Sequence, residues 1–448
     1  MKKNYQTTTS GARAGGVARK KAGSSVEAEI VLPSTVEVEL DALAEEMREG
    51  LLALAVGTGL QVMHVLMEDE VSAVVGPKGK WNPERTARRH GTDGGEVTLG
   101  GRRIGVRKPR VRTADGSAEV SVGTYELFSS TELLGRLAME RMLAKLSCRR
   151  YRAGLEPVGS SVSAHARGTS SSAVSRRFVS STETALAELL AADLSGLDLV
   201  AIMIDGVHFG HHLCVVAMGI DANGVKHPLA LEEGDTENAT LVKDLLGGLR
   251  ERGLDTTRAI LCVLDGAKAL HAGVRAVFDR PVIQRCQLHK IRNVGDKLPK
   301  TMEATVAKKM RVAYHEPDAL AAEAALEHLA RGLDGSHPGA AASLREGLAE
   351  TLTVARLGVP PTLARTLRST NAVESMIEIC RDHSRNVKRW RDGKMALRWC
   401  AAGMAEAKKQ FRRVNGHMHL PALRLALDEH FAERVTPPDY DAGKEVAA

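Results

Sequence analysis

Two stretches of this sequence end in the same way. Residues 199–209 read LVAIMIDGVHF and residues 259–266 read AILCVLDG, so each apolar run drives straight into an aspartate and a glycine. Short unbroken apolar runs rich in Val and Ile are what strands covered on both faces look like. A carboxylate at the end of such a strand loses its hydration as the fold closes, a heavy cost unless a partner or a cation replaces the water. One Asp-Gly after a strand is most often a turn or a cap. Two of them, at the strand ends of one sheet, tilt the reading toward Asp205 and Asp265 sharing a metal ion.

The neighbouring segments say which sheet. HLCVVAMGID and VKHPLALEEG are two more strands, joined by a hairpin turn at Asp221–Gly224. ENATLVKDLLGGLRERGL is helical, AILCVLDG is a fourth strand, KALHAGVRAVF a helix and PVIQRCQLH a fifth strand. Three antiparallel strands, a helix, a parallel strand, a helix and a last strand is the order of an α/β ribonuclease-H-like domain with a mixed five-stranded sheet. There the first and fourth strands are neighbours, so Asp205 and Asp265 face each other. Unpaired, they repel and raise each other's pKa; oxygen ligands of this kind suit Mg²⁺ or Mn²⁺. A third acid is expected, Glu374 in STNAVES or Glu378 one turn later. Asn371-x-x-Glu374 also fits a capping box, and spacing does not choose among these.

The core divides into residues 197–298 and 369–415, around an Ala-, Glu- and Leu-rich all-helical insertion at 299–368. Residues 1–34 read as a basic tail, with six Lys/Arg and no acid in the first 25. Residues 35–130 hold helices, with Leu40, Leu43, Met47, Leu51 and Leu54 on one face, and then a basic three-stranded meander turning at Gly100-Gly101 and Asp115-Gly116. Val75 to Asp115 carries eleven Lys/Arg against four acids. Such crowding is self-repulsive without a polyanion, so Arg103, Arg107 and Arg110 are candidate phosphate contacts. Within 131–196, residues 131–158 read as one amphipathic helix. A second helix, capped by Thr169 or Ser170, carries Ser172, Ser175, Arg176 and Arg177 in its first turns. Short polar side chains and arginines at a helix start suit a helix-turn-helix reading the major groove. Ile377 to Asn415 repeats the balance of eleven Lys/Arg to four acids, and 416–448 is a tail.

The net charge of +7 suits a nucleic-acid partner. Six scattered cysteines without a CxxC pair point to a reducing, cytoplasmic compartment, and no apolar run nears the ~20 residues of a membrane span. Cys286-x2-His289 is half a zinc spacing and reads as structural or DNA-proximal. His208, His211 and His212 resemble a zinc cluster, but alternation along a regular strand sends 211 to the opposite face from 208 and 212.

Taken in order, IDGVHF at Asp205, GIDANGVKHPLAL, GDTENATLVKDLLGGLRERGL, LDGAKAL at Asp265, QRCQLHKIRN and STNAVES resemble the mutator-type transposases of bacterial insertion sequences. The likeness spans 197 to about 415 and is fainter upstream. It implies a DDE triad at Asp205, Asp265 and Glu374, choosing Glu374 over Glu378, with the family's Cys-x2-His element at Cys286 and His289. It also implies two Mg²⁺ ions per site (Mn²⁺ as substitute) and two-metal phosphoryl transfer. The partners implied are double-stranded DNA, as terminal inverted repeats and as target, and further copies of the chain, at least a homodimer; nucleoid association follows. Arg385, Lys388, Arg389 and Arg391 would then hold the strand beside Glu374. One departure is the Asp-Gly-Val-His-Phe here, where family members commonly have Thr after Asp-Gly and then an aromatic. Two rivals are a catalytically dead, transposase-derived DNA-binding regulator and a ribonuclease-H-like nuclease without strand transfer. Retained buried acids argue against the first, and the long basic N-terminal region and helical insertion against the second.

Overall fold

The computed structural model describes residues 50–435 except 81, 82, 84 and 157. Residues 1–49, 436–448 and so the part of the first apolar helix face carried by Leu40, Leu43 and Met47 lie outside the described residues; the tail expected over 416–448 is instead a helix at Leu420–Val435, because Leu420, Leu423 and Leu427 are buried in the core. The first described element is a helix, α1 (Leu51–Val75), followed by β1 (Ala87–Leu99), β2 (Arg102–Thr113) and the short β3 (Glu119–Val120). Gly100 and Gly101 both have positive φ, 55° and 78°, which a two-residue hairpin turn matched to strand twist requires. Met63, Met67, Val71 and Val75 recur every fourth residue along α1 and pack on Val97, Ile104 and Val111 of the meander.

The single helix expected over 131–158 is not what forms. A helix, α2, covers Glu132–Leu143 and stops; Lys145 turns left-handed at φ 70°, and a 3₁₀ turn follows at Tyr151–Gly154. The chain doubles back because Tyr151 has a place to go, fully buried among Ala138, Leu143, Phe178 and Trp399. After the short helix Ser160–His165, α3 (Ser171–Ala191) begins at Ser170, whose hydroxyl accepts from the Ala173 N–H. Its buried stripe, Val174, Phe178 and Thr182, leaves Ser172 and Arg176 exposed.

A five-stranded mixed sheet then follows: β4 (Leu199–Phe209), β5 (His212–Asp221), β6 (Lys226–Gly234), β7 (Ile260–Leu264) and β8 (Pro281–Arg285). The order is β6-β5-β4-β7-β8, with β4 antiparallel to β5 but parallel to β7. Helices α4 (Ala239–Glu251) and α5 (Lys268–Val277) cover one face, against Ile202, Ile204, Cys262 and Leu264. Met203, Val207, Phe209, Leu261 and Val263 point to the other, toward helices further along the chain. After α6 (Gln287–Gly295), residues 300–367 form six helices; those as far as Leu352 share a core with Ile291 and Val294 of α6, while Val354, Leu363 and Leu367 pack into the core of the sheet. The chain returns as α7 (Asn371–Ser384), α8 (Gly393–Gln410) and α9 (Leu420–Val435). Between α7 and α8, residues 385–392 are not helical, and Asp392 caps α8 through the Met395 N–H. No described helix is long and apolar enough to cross a membrane, and all six cysteines are free.

Candidate active site

The register of the sheet brings the two aspartates together. Ala201 pairs with Leu261, Ile202 with Cys262 and Met203 with Val263; the same offset continued two residues sets Asp205 beside Asp265. Their surroundings differ. Asp265 follows the end of β7 and does cap a turn, its Oδ1 accepting the Ala267 N–H at 2.7 Å, with Gly266 at φ +104°. Asp205 does not end its strand. β4 runs on through Gly206 to Phe209, paired with β5 as far as His212, so the strand end read at Asp205-Gly206 is not there. Asp205 accepts only the adjacent Gly206 N–H, at 2.8 Å. Burial pushes its carboxyl up to about 6; His289 opposes the rise, and the charges of Asp265 and Glu374 add to it.

Glu374 comes in from the first turn of α7. The capping box that its spacing allowed is not formed. Its Oε1 instead accepts the hydroxyl of Thr370, the residue that starts the helix, at 2.6 Å. That hydroxyl also stands 3.3 Å from Cys286 Sγ and 3.4 Å from His289 Nδ1, and the Thr370 N–H points at the same sulfur. Cys286 and His289 flank the start of α6, which the Cys286 N–H ties to the Leu264 carbonyl at the end of β7. Burial raises the Cys286 thiol, but hydrogen bonds with His289 and Thr370 outweigh it and leave the thiol below its usual value. His289 is raised in turn, first by that bond and, against burial, by the negative charges of Glu374 and Asp205. Glu378 is 74% exposed and pairs with Arg381 at 3.8 Å.

A fourth acid was not singled out by the sequence. Glu237, on the loop between β6 and α4, is pushed up to about 7 by burial and by the charges of Asp265 and Asp205. Its Oε1 is buried with no hydrogen-bond partner. Nothing in GDTENAT marks it, because it is one polar residue in a polar loop. Thr370 went unnoticed for the same reason.

Two donor sets therefore meet at Glu374. Cys286 Sγ, a ring nitrogen of His289 and a carboxylate oxygen of Glu374 lie within 4.8 Å of one another, the one such trio of His, Cys or acidic side chains among the described residues. The other set is all oxygen, and Asp205, Asp265 and Glu374 are spread more widely than that trio. An orphaned buried carboxylate oxygen beside acids whose charges add is what a hard divalent cation would correct, so the residues fit Mg²⁺ or Mn²⁺.

The basic residues fall into two groups. Arg103 pairs with Glu96 at 3.2 Å and Arg110 with Glu119 at 3.1 Å, while Arg107 bonds Thr92 and Arg177 the Gly168 carbonyl. Arg176, Arg385, Lys388, Arg389 and Arg391 are exposed, and Arg391 pairs with Asp392. Lys388 and Arg389 have no ion-pair partner among the described residues. The three histidines do not form a cluster: His208 is in β4 opposite Leu213, His211 sits in the turn after Gly210, and His212 bonds Glu233 at 2.8 Å.

Against known families the match is direct: the chain is a member of the Mutator family of transposases, whose pattern matches residues 36–414. It is 27% identical over 371 residues, 81% of this chain and 90% of the relative, to the transposase for insertion sequence element ISRM5 of Rhizobium meliloti. It is 29% identical over 275 residues, 57% of this chain and 84% of the relative, to the transposase for insertion sequence element IS6120 of Mycolicibacterium smegmatis.

Proposed function

We propose that this transposase binds the terminal inverted repeats of an insertion sequence and catalyses Mg²⁺-dependent DNA cleavage and strand transfer, with Asp205, Asp265 and Glu374 as its catalytic acids. The observation that carries this is the register of β4 against β7, which sets two acids side by side with the Glu374 helix above them. The strand order, three antiparallel then two parallel, supports a ribonuclease-H-like catalytic unit interrupted by the helical segment 299–368.

Divalent ions held there would polarise the scissile phosphate and lower the pKa of the attacking water or 3′-hydroxyl; carboxylates serving two ions need not close as tightly as ligands of one. The residues do the holding. Asp205 is fixed by its strand and Asp265 by its turn. Glu374 is oriented by the Thr370 hydroxyl, which Cys286 and His289 brace. Because one phosphodiester replaces another, no nucleotide cofactor is needed. Lys388 and Arg389, on the segment leaving the far end of α7, would hold a DNA backbone, and Arg176 with the meander would serve the terminal repeats. Joining two ends calls for at least two copies of the chain.

The test is strand transfer by purified protein on pre-cut terminal repeats with Mg²⁺. Joined product from the wild type, lost in Asp205→Ala with repeat binding kept, is the expected result. Cutting without joining would reduce the protein to a nuclease, and binding without either would make it a regulator.

A further inference from the structure

We infer that Glu237 is a fourth carboxylate of the metal-binding cluster, holding divalent cation together with Asp205 and Asp265. This rests on the reading of the catalytic acids given above and extends it to a residue outside the triad.

Three observations lead there. First, Glu237 Oε1 is shut away from solvent with no donor, and no cation among the described residues pairs with the carboxylate. The charged groups that face it are Asp265 and Asp205, both acids. Enclosed like charges with an unmet acceptor are unfavourable for the protein alone and favourable once a cation enters. Second, Glu237 is not needed to start its helix. Asn238 caps α4, its Oδ1 accepting the Leu241 N–H at 2.9 Å and its amide donating to the Thr236 carbonyl at 3.2 Å. The acid one position earlier is left over from that local bonding. Third, the strand bearing Asp205 makes room for it. A methyl group on Gly206 would lie 3.3 Å from Glu237 Oε2 and 3.1 Å from Leu213 Cδ1. The missing side chain lets the Glu237 carboxylate reach the β4 backbone one residue along from Asp205. Four carboxylates also balance two divalent ions, where three do not.

The experiment is a Mn²⁺ titration of metal-stripped full-length protein, with free Mn²⁺ read by electron paramagnetic resonance, on wild type, Glu237→Gln and Asp205→Asn. Thermal unfolding in chelator and in Mn²⁺ is recorded alongside. Glu237→Gln, which keeps the shape and removes the charge, is expected to weaken Mn²⁺ binding about tenfold or more. It should also unfold at a higher temperature than wild type in chelator and gain less from added Mn²⁺. A residue that only braces its loop would behave oppositely, losing stability in chelator with Mn²⁺ binding unchanged, and that result overturns the inference. Unchanged binding in Glu237→Gln with loss in Asp205→Asn refutes the role of Glu237 alone; equal binding in Asp205→Asn and wild type refutes the cluster as a whole. Should Glu237→Gln not fold, Glu237→Asp keeps the charge at shorter reach, with intermediate affinity expected and wild-type affinity counting against the inference.

Discussion

The ends of β7 and β8 lie side by side, and the chain buries charge at both in opposite ways. Beyond β8, the buried charges sit beside opposite charges or carbonyls. Arg285 pairs with Glu350 and Glu346, at 3.4 and 3.5 Å, and Glu350 also meets His271 and Arg275. Lys290, 2% exposed, donates to the carbonyls of Ser343 and Glu346 at 2.6 Å each. Gln284 and Gln287 both donate to the Thr351 carbonyl, and Gln284 accepts the Val354 N–H. This network welds the helical segment to the sheet. Around the end of β7 are Asp205, Asp265 and Glu237, which make no ion pair among the described residues; the charge nearest in effect on Asp205 is that of His289. Charge matched inside the fold serves the fold; charge left unmatched waits for something from outside.

The sharpest test of this contrast is to remove the proposed catalytic acids. Asp205→Ala, Asp265→Ala and Glu374→Ala should each abolish cleavage of a terminal-repeat substrate while gel-shift affinity for the repeats stays near wild type. Mg²⁺-dependent nicking kept in any one of them removes that residue from the set. Matched charge should answer differently. Lys290→Met strands two buried carbonyls and should cost about 3 kcal/mol in urea unfolding, with cleavage unchanged where the protein remains folded.

The two regions also titrate with opposite sign. Asp205 and Glu237 are raised to about 6 and about 7. From about pH 4 up to those values the native protein holds protons that the unfolded chain has released, so in chelator stability falls as pH rises. Lys290 is lowered to about 8, by burial first and by Arg285 second. Above that value, up to about pH 10.4, the unfolded chain holds the proton that the native state has lost, so stability rises with pH. Each slope is below about 1.4 kcal/mol per pH unit, smaller where solvent reaches the group. Subtracting the profiles of Asp205→Asn and Lys290→Met from wild type isolates them. A flat difference for Asp205→Asn between pH 4 and 6 would mean that its carboxylate is not confined as described.

What could be read in the sequence follows from what each residue does locally. The strand order and both aspartates were legible because an apolar run broken by Asp-Gly is a local signal. The same signal misled at Gly206, where the pair with Val215 carries β4 onward and the strand does not end. The helix over 131–158 was overread because its apolar spacing continues past Leu143, and only the buried pocket for Tyr151 turns the chain back. Glu374 could be chosen over Glu378 only by resemblance, since both sit on one helix face by spacing. Glu237 and Thr370 were illegible because their meaning comes from partners far along the chain. The meander's charge was legible but its pairing was not: Arg103 and Arg110 looked unopposed and meet Glu96 and Glu119.

That last point separates the basic patches by experiment. Lys388→Ala and Arg389→Ala each remove a cation without an acidic partner, so each should lower DNA affinity and reduce the slope of log K against log salt by about 1 if it meets a phosphate. Arg110→Ala should change the slope less, because Glu119 already offsets part of that charge. Equal slopes for all three would mean that pairing in the free protein does not govern DNA contact.

The smallest change tests how closely the unmatched acids must approach. Gly206 lies within β4 without a positive φ, so alanine can adopt its backbone, unlike Gly266, where φ +104° makes any side chain strained. The cost of Gly206→Ala is therefore the contact itself, a methyl 3.1 Å from Leu213 Cδ1 and 3.3 Å from Glu237 Oε2. The leucine can shift, so stability should fall by only about 1 kcal/mol. The carboxylate must shift too, away from the β4 backbone. Cleavage should then drop several-fold with repeat binding intact, and Glu237→Gln combined with Gly206→Ala should be little worse than Glu237→Gln alone. Full additivity of the two would show that Gly206 makes room for the leucine and not for the acid.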